Sequence, residues 1–391
     1  MSDWKSAALS SIADIDRTAI QPGQIVAGTL YIGLEHIVSG GELLPPQPVQ
    51  NGELASTKFR FTPKHILYGK LRPYLAKIAR PDFSGICSTD ILPILPGKDL
   101  ERRFLLHFLR QPAMVQRASK EAVGANLPRL SPSTLARFRV PLPPLAEQGR
   151  IADILDKADA LRAQRRAALA ELDTLTQSTF LDLFGDPVTN TRNWPENKLL
   201  GDVADLVSGI TKGRALNGAT TRVVPYLAVS NVQDMALNLS VVKQIAATES
   251  EIARYRLRKD DLLLTEGGDP DKLGRGTLWN DELDECIHQN HVFRVRVTTD
   301  GVDPLFLNWL VGSRRGKHYF LRSAKQTTGI ASINMTQLRA FPLLLPPVGI
   351  QRDFARRITA IETLKSRHRA ALAELDTLFA SLQHRAFRGE L

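Results

Sequence analysis

The ten residues RAALAELDTL stand at Arg166–Leu175 and again, letter for letter, at Arg369–Leu378. Extended outward without a gap, LPPLAEQGRIADILDKADALRAQRRAALAELDTLTQSTFLDLF (Leu142–Phe184) faces LPPVGIQRDFARRITAIETLKSRHRAALAELDTLFASLQHRAF (Leu345–Phe387). Upstream, LSPSTLARFRVPLPP faces NMTQLRAFPLLLPP. Further back the match thins: YIGLEHI at Tyr31 resembles YLAVSNV at Tyr226, and HILYGKLRPYLAKI from His65 aligns with DDLLLTEGGDPDKL from Asp260. Trp4 and Trp194 open the two halves. The period is too long for a solenoid and reads as a duplicated unit, each half a variable body followed by a matching tail.

The tails read as helices. Pro143–Pro144 and Pro346–Pro347 mark their entrances, where proline is tolerated, and good helix formers follow without a further proline. Ile151, Ile154, Ala158, Leu161, Ala168, Leu172 and Leu175 recur at heptad spacing, as do Phe354, Ile361, Leu364, Ala371, Leu375 and Leu378. Two matching seams in one chain predict that the helices pack on each other as a coiled coil. The alternative is that each packs on a globular core. Arg165 and His368 occupy equivalent seam positions, where a polar residue can fix register.

The bodies differ in character. Short apolar runs (HILYGKL, GICSTDILPIL, YLAVSNV, DLLLT) lie among glycines and prolines, and HVFRVRV alternates as a half-buried strand does. Helical patterns follow in LERRFLLHFLR and DPLFLNWLVGSRRGKHYFLRS. The expected fold class is α+β with a pseudo-two-fold internal repeat: bodies over 1–145 and 186–347, and long helices over 146–185 and 348–391 packing as an antiparallel coiled coil.

The chain of 391 residues carries a formal net charge of +10, which favours a polyanionic partner, nucleic acid before membrane. Ala146–Phe184 holds five basic and seven acidic residues, and Gly349–Arg388 eight and four. The helices therefore sum to +2, and the remaining +8 points to the bodies as the nucleic-acid binders.

Searches for chemistry return little. No Walker A or dinucleotide-binding glycine pattern is present; GGDPDKLGRG (Gly267–Gly276) reads as a loop. The Glu-x-Lys of PENK (Pro195–Lys198) is a common fragment of nuclease sites. His288 and His291 in HQNH have no nearby cysteine to complete a metal set, and Cys87 and Cys286 form neither a disulfide framework nor a zinc site. The chain is expected to bind no cofactor or metal. MSDWKSAALS lacks a signal-peptide core, and prolines break FPLLLPPVGI, so a cytoplasmic protein with no membrane partner is expected.

Variable body, PLPPLAEQ, long helix, second variable body, LLPPVGIQ, long helix and FRGEL together make a layout that resembles the specificity subunit of type I restriction–modification systems. The likeness spans essentially the whole chain. ILYGKLRPYLAKIARPDFSGICSTDI and the stretch from DLLLTEGGDPDKL to HVFRVRV look like two kinds of target-recognition domain. One departure is Ile350 where the first copy has Glu147; Gln148 and Gln351 are both retained. The resemblance implies a non-catalytic subunit that reads an asymmetric, split target in double-stranded DNA. It implies two methyltransferase subunits for adenine N6 methylation and motor-nuclease subunits as partners, with S-adenosylmethionine, ATP and Mg²⁺ on those partners. Two other classes stay open: a catalytic methyltransferase or nuclease with an unrecognised site, and a coiled-coil protein that binds DNA without sequence preference.

Candidate DNA contacts combine cations with groups that read bases. They are Lys70, Arg72 and Tyr74 in the first body, and Lys212, Arg214, Lys272, Arg275, His288, Gln289 and Asn290 in the second.

Overall fold

A computed structural model describes residues 4–216, 218–269, 272–327 and 330–391. Two compact units emerge, Met1–Ala168 with His368–Leu391, and Leu169–Arg367. The divisions fall inside the long helices, because the ends of both helices are built into globular cores.

In the first unit, strands Ala13–Ile15, Ile91–Pro96, Ile66–Gly69 and Ile78–Ala79 form an antiparallel sheet in that order. A second sheet orders Ala19–Ile20, Lys58–Phe61, Gly85–Cys87, Leu30–Ile32 and Gln47–Pro48, with a parallel step that sets Tyr31 opposite Ile86 and Ile32 opposite Cys87. Helix Arg102–Leu109 covers the first sheet, burying Phe104, Leu105 and Leu109 with Ile66, Leu92 and Ile94. Ile151, Ala152 and Leu155 of the long helix Leu145–Phe184 enter this core, as does Ala386 of the long helix Val348–Ala386.

The second unit repeats the plan. Ala204–Ser208, Val292–Val297, Leu262–Thr265 and Gly276–Leu278 form the corresponding four-stranded sheet. Lys243–Ala247, Arg222–Leu227 and Ile287–His288 form the second sheet, and its parallel step sets Tyr226 opposite Ile287. Phe180 and Phe184 from the first long helix pack with Phe354 from the second and Phe306 from Pro304–Gly312. Truncating one such buried phenylalanine typically costs about 3–5 kcal/mol.

The match of YIGLEHI with YLAVSNV has a structural basis. In each, a strand ends in a single 3₁₀ turn whose third residue turns back: His36 Nδ1 accepts the Gly33 N–H at 2.9 Å, and Asn231 Oδ1 accepts the Ala228 N–H at 2.9 Å. The alignment of HILYGKL with DDLLLTEG, in contrast, is one residue out. Ile66 pairs with Ile94 as Leu262 pairs with Val295, so His65 corresponds to Asp261. Side chains alternate across a strand, so a one-residue slip exchanges its faces, and only the ladder decides the register.

HVFRVRV also departs from its reading. Its strand is central, and both arginines are held by carboxylates, Arg294 buried and Arg296 partly exposed. Arg294 is buried and donates to Asp205 at 2.6 Å, while Arg296 donates twice to the fully buried Asp261, at 2.7 Å each. Each arginine of the alternation is in an ion pair with one partner buried and the other partly exposed, so part of the second body's positive charge is neutralised within the fold.

The seam residues divide by burial. Ile151 and Phe354 are fully buried; Ile154, Leu172, Ile361, His368 and Leu375 are half-buried; Leu161, Arg165, Leu175, Leu364 and Leu378 are exposed. The burial follows Ile151, Leu155 and Ala158, and Thr176, Phe180 and Phe184, at spacings of three and four. Helix ends that enter a core select residues for that core, whereas two helices alone leave the flanks of each seam in water.

Within each unit the long-helix segments are joined by polar pairs. In the first, Arg162 Nε donates to Asp376 at 2.6 Å with its guanidinium over the Phe379 ring, and Arg165 lies 3.2 Å from His368. In the second, the buried Lys365 donates to Asp173 at 2.7 Å and to Glu362 at 2.6 Å. Burial alone would lower the Lys365 pKa, but its two carboxylates outweigh that and raise it. Asp173 and Asp376 are the same letter of the two RAALAELDTL copies, and Arg162 and Lys365 are likewise equivalent. In the first unit the partners of positions 150, 162 and 165 are 391, 376 and 368, so the segments run antiparallel.

The retained glutamines bind helix to body. Gln148 is buried; its Oε1 accepts the Glu101 N–H at 2.8 Å, and its Nε2 donates to the carbonyls of Asp99 and Pro143 at 3.0 and 2.9 Å. Gln351 repeats this with the Asp303 N–H at 2.9 Å and the carbonyls of Gly301 and Pro346 at 3.1 and 2.7 Å. Glu101 and Asp303 are themselves the N-caps of the helices that cover each sheet. Among the described residues Glu147 makes only a local pair with Arg150, at 2.7 Å, which explains why the second copy can carry a partly buried, apolar Ile350.

Candidate nucleic-acid interface

In the first body the strand Ile66–Gly69 runs out into the turn Lys70–Ala76. The backbone of Lys70 is fixed by Asp90 and Leu130, and its Nζ lies 3.5 Å from Asp90 in a half-buried pair. Lys70 is therefore committed inside the protein. Arg72 and Tyr74 are exposed, and among the described residues neither side chain has a partner. A second loop is held to this turn: the Arg72 N–H donates to the Pro128 carbonyl at 2.8 Å, and Leu71 bridges Arg129. That loop exposes Val123, Asn126, Leu127 and Arg129. Sequence reading passed over it, although EAVGANLPRL does carry a signal, apolar residues in a Gly/Pro turn where burial is not available.

The second-body candidates divide. Lys212 is exposed and has no partner among the described residues. Arg214 is structural: its Nη2 donates to Glu251 at 2.6 Å and to the Ala246 carbonyl at 2.9 Å. That contact, first among its causes, pulls the Glu251 carboxyl down to about 2. Arg275 Nη1 donates to Gln233 at 3.3 Å, while its buried Nε has no partner among the described residues. Lys272 pairs with Asp269. Pro270 and Asp271 of GGDPDKLGRG lie outside the described residues.

His288 is not available to DNA. It is fully buried, its Nδ1 2.7 Å from the Val292 carbonyl, and burial drives its pKa down to about 4. The strand Ile287–His288 turns its imidazole inward, at the position Cys87 holds in the first body. Gln289 and Asn290 are half-buried, and their backbones bond to Leu227 and Ile210, which leaves their amide groups uncommitted among the described residues. His291 is exposed and 2.6 Å from Glu266.

The other chemistry candidates are likewise tied into the fold. Glu196 of PENK is bound by Arg315 at 2.8 Å and by Asn190 at 2.8 Å, and these contacts lower its pKa. Both cysteines are buried free thiols whose pKa burial raises. Among the described residues no group of three or more His, Cys, Asp or Glu could hold a metal ion, and no helix is long and apolar enough to cross a membrane.

Residues 1–171 match the family model described as "Type I restriction modification DNA specificity domain". The StySPI specificity subunit of Salmonella potsdam is 26% identical over 381 residues, covering 88% of this chain and 81% of the relative. The EcoKI specificity subunit of Escherichia coli K12 is 24% identical over 384 residues, covering 89% and 82%. Residues 1–171 thus carry a type I restriction–modification DNA specificity domain, and the chain as a whole is similar to type I specificity subunits over most of its length. Among solved structures, the type I system S subunit from M. genitalium shares the fold, with a TM-score of 0.62 at 13% identity over 98% of this chain and 96% of that one. A chain from a structure of complex assembly and conformational transition in a type I R-M system gives 0.55 at 20% identity, covering 99% and 98%. The shared fold is α+β, and among the described residues of the bodies Arg72 and Lys212 are exposed cations with no partner.

Proposed function

We propose that this chain is a type I specificity subunit that reads an asymmetric, split DNA target with its two bodies, and that its long helices set the spacing of the half-sites and carry the partner subunits. The observation that carries this is the repetition of the same joints in both units, Gln148 with Gln351 and Arg162–Asp376 with Asp173–Lys365, around bodies whose exposed loops differ. Equivalent joints offer equivalent surfaces, on which two methyltransferase subunits would dock to methylate adenine N6 on opposite strands. Motor-nuclease subunits complete the restriction enzyme. S-adenosylmethionine, ATP and Mg²⁺ belong to those partners, and the complex works in the cytoplasm on double-stranded DNA.

A 40-residue helix is about 60 Å long at about 1.5 Å per residue, which bounds the span between half-sites at roughly 17 base pairs. Bodies that read one face of the duplex would sit about one turn, roughly 10 base pairs, apart, with an unread gap between the half-sites. Selection from a random-sequence duplex pool tests the reading: enrichment of a split motif is expected. Enrichment of no motif would indicate non-specific binding. Transfer of label from S-adenosylmethionine, or cleavage with Mg²⁺, by the purified chain alone would show it to be catalytic instead.

A further inference from the structure

We propose that the tip built from the turn Arg72–Ala76 and the loop Val123–Arg129 is the element with which the first body touches base edges, an apolar reader rimmed by cations. This rests on the DNA-recognition reading above and adds the residues and the mode of contact. Three large apolar side chains lie exposed on this one tip: Val123 at 80%, Tyr74 at 55% and Leu127 at 44%. Singly, exposed apolar residues mean little, but on two loops bonded to each other they mark a contact surface.

The tip is rigid. Val123 and Arg129 exchange two backbone hydrogen bonds of 2.9 Å, Arg72 donates to Pro128, and Leu130 donates to Lys70 at 2.9 Å. Arg72 is held at φ 51° immediately before Pro73, and Ala76 at φ 47°. Left-handed backbone is costly for a residue with a Cβ, and a following proline disfavours helical conformations further. Such strain persists only where the surroundings over-determine it. Here it holds the guanidinium of Arg72 and the ring of Tyr74 on either side of Pro73 at the exposed end of the turn.

Charge decides the partner. Arg72 has no partner among the described residues, and Arg129 shares Asp90 with Lys70 at 3.4 and 3.5 Å. Glu121, the carboxylate nearest in the loop, is neutralised by Arg117 at 2.7 Å. An apolar centre with a cationic rim fits a DNA groove. Val123 and Leu127 can meet thymine methyls, Arg72 the guanine edge and Asn126 adenine. In the second body Gly267 faces Ser332 where the first has Leu71 facing Arg129, so the two bodies present different chemistry at matching places.

The test is motif selection from a random duplex pool with the full chain, alone and as the complex purified from its source cells. The variants are Val123→Ser with Leu127→Ser, Tyr74→Ala, and Arg72→Gly. Arg72→Gly removes the side chain while relieving the backbone, so it folds. Val241→Ser, at an exposed apolar residue of the second body outside the candidate contacts, is the control. Each tip variant should lose about ten-fold or more discrimination in one half-site and none in the other. The apolar pair should leave the salt dependence of binding unchanged. Tip variants that enrich the wild-type motif overturn the proposal and leave the DNA-recognition reading standing. So does a variant with an intact motif that only flattens the salt slope or only loses a protein partner. If the wild-type chain enriches no motif, both readings fall.

Discussion

Replacing Gln148 with leucine keeps the volume and removes every polar contact of a buried clamp. Three hydrogen bonds go, one from the Glu101 N–H and two to the carbonyls of Asp99 and Pro143. Each is worth about 0.5–1.5 kcal/mol net, and the stranded N–H adds roughly another 1 kcal/mol, so the expected cost is about 2.5–5.5 kcal/mol. With a urea dependence of about 2 kcal/mol/M, the unfolding midpoint of the first unit should fall by roughly 1–3 M. The equivalent Gln351→Leu should do the same to the second unit. Three of the four tryptophans, Trp194, Trp279 and Trp309, lie in the second unit, so their fluorescence should follow Gln351→Leu far more than Gln148→Leu. Native-state hydrogen exchange supplies the local reading: the amide of Glu101 should exchange faster in Gln148→Leu and that of Asp303 in Gln351→Leu. A Gln148→Leu chain with an unchanged midpoint and a protected Glu101 amide would refute the argument that this side chain fastens helix to body.

In a double-mutant cycle with Arg162→Met and Asp376→Asn, the coupling energy should be about 0.2–1 kcal/mol and should shrink in high salt, because Asp376 is partly exposed and also reaches Arg166. His288 is held neutral, with its pKa near 4 against about 6.5 when unfolded. Its contribution is therefore full above about pH 6.5 and is lost as the pH falls from there toward 4, by up to roughly 3 kcal/mol, and a His288→Leu chain should lack that limb in pH-dependent unfolding. Cys87 and Cys286 should resist a thiol reagent in the native protein and both react in denaturant, since each is buried with its pKa raised; fast native labelling of either would contradict its placement.

The sequence by itself determined the duplication, the two long helices and the α+β bodies, because these rest on local signals: a verbatim repeat, prolines at helix entrances and apolar runs between turns. It also singled out Gln148 and Gln351 by their retention, and separated Glu147 from Ile350, without giving a reason. Tertiary structure supplied the reason, since the clamp spans from residue 148 back to residues 99–101 and from 351 back to 301–303. Long-range partners decided everything the pattern misread. Arg294, Arg296 and Arg214 look like free cations in the sequence and are consumed by Asp205, Asp261 and Glu251. His288 looks like a loop histidine and is interior; Lys70 is held by Asp90. The seam leucines Leu161, Leu175, Leu364 and Leu378 satisfy the heptad and still face water, because periodicity states which residues share a helix face and not what lies opposite that face. Local propensity is written in neighbouring letters, whereas burial and charge neutralisation depend on residues brought together from distant positions, and only the folded chain says which those are.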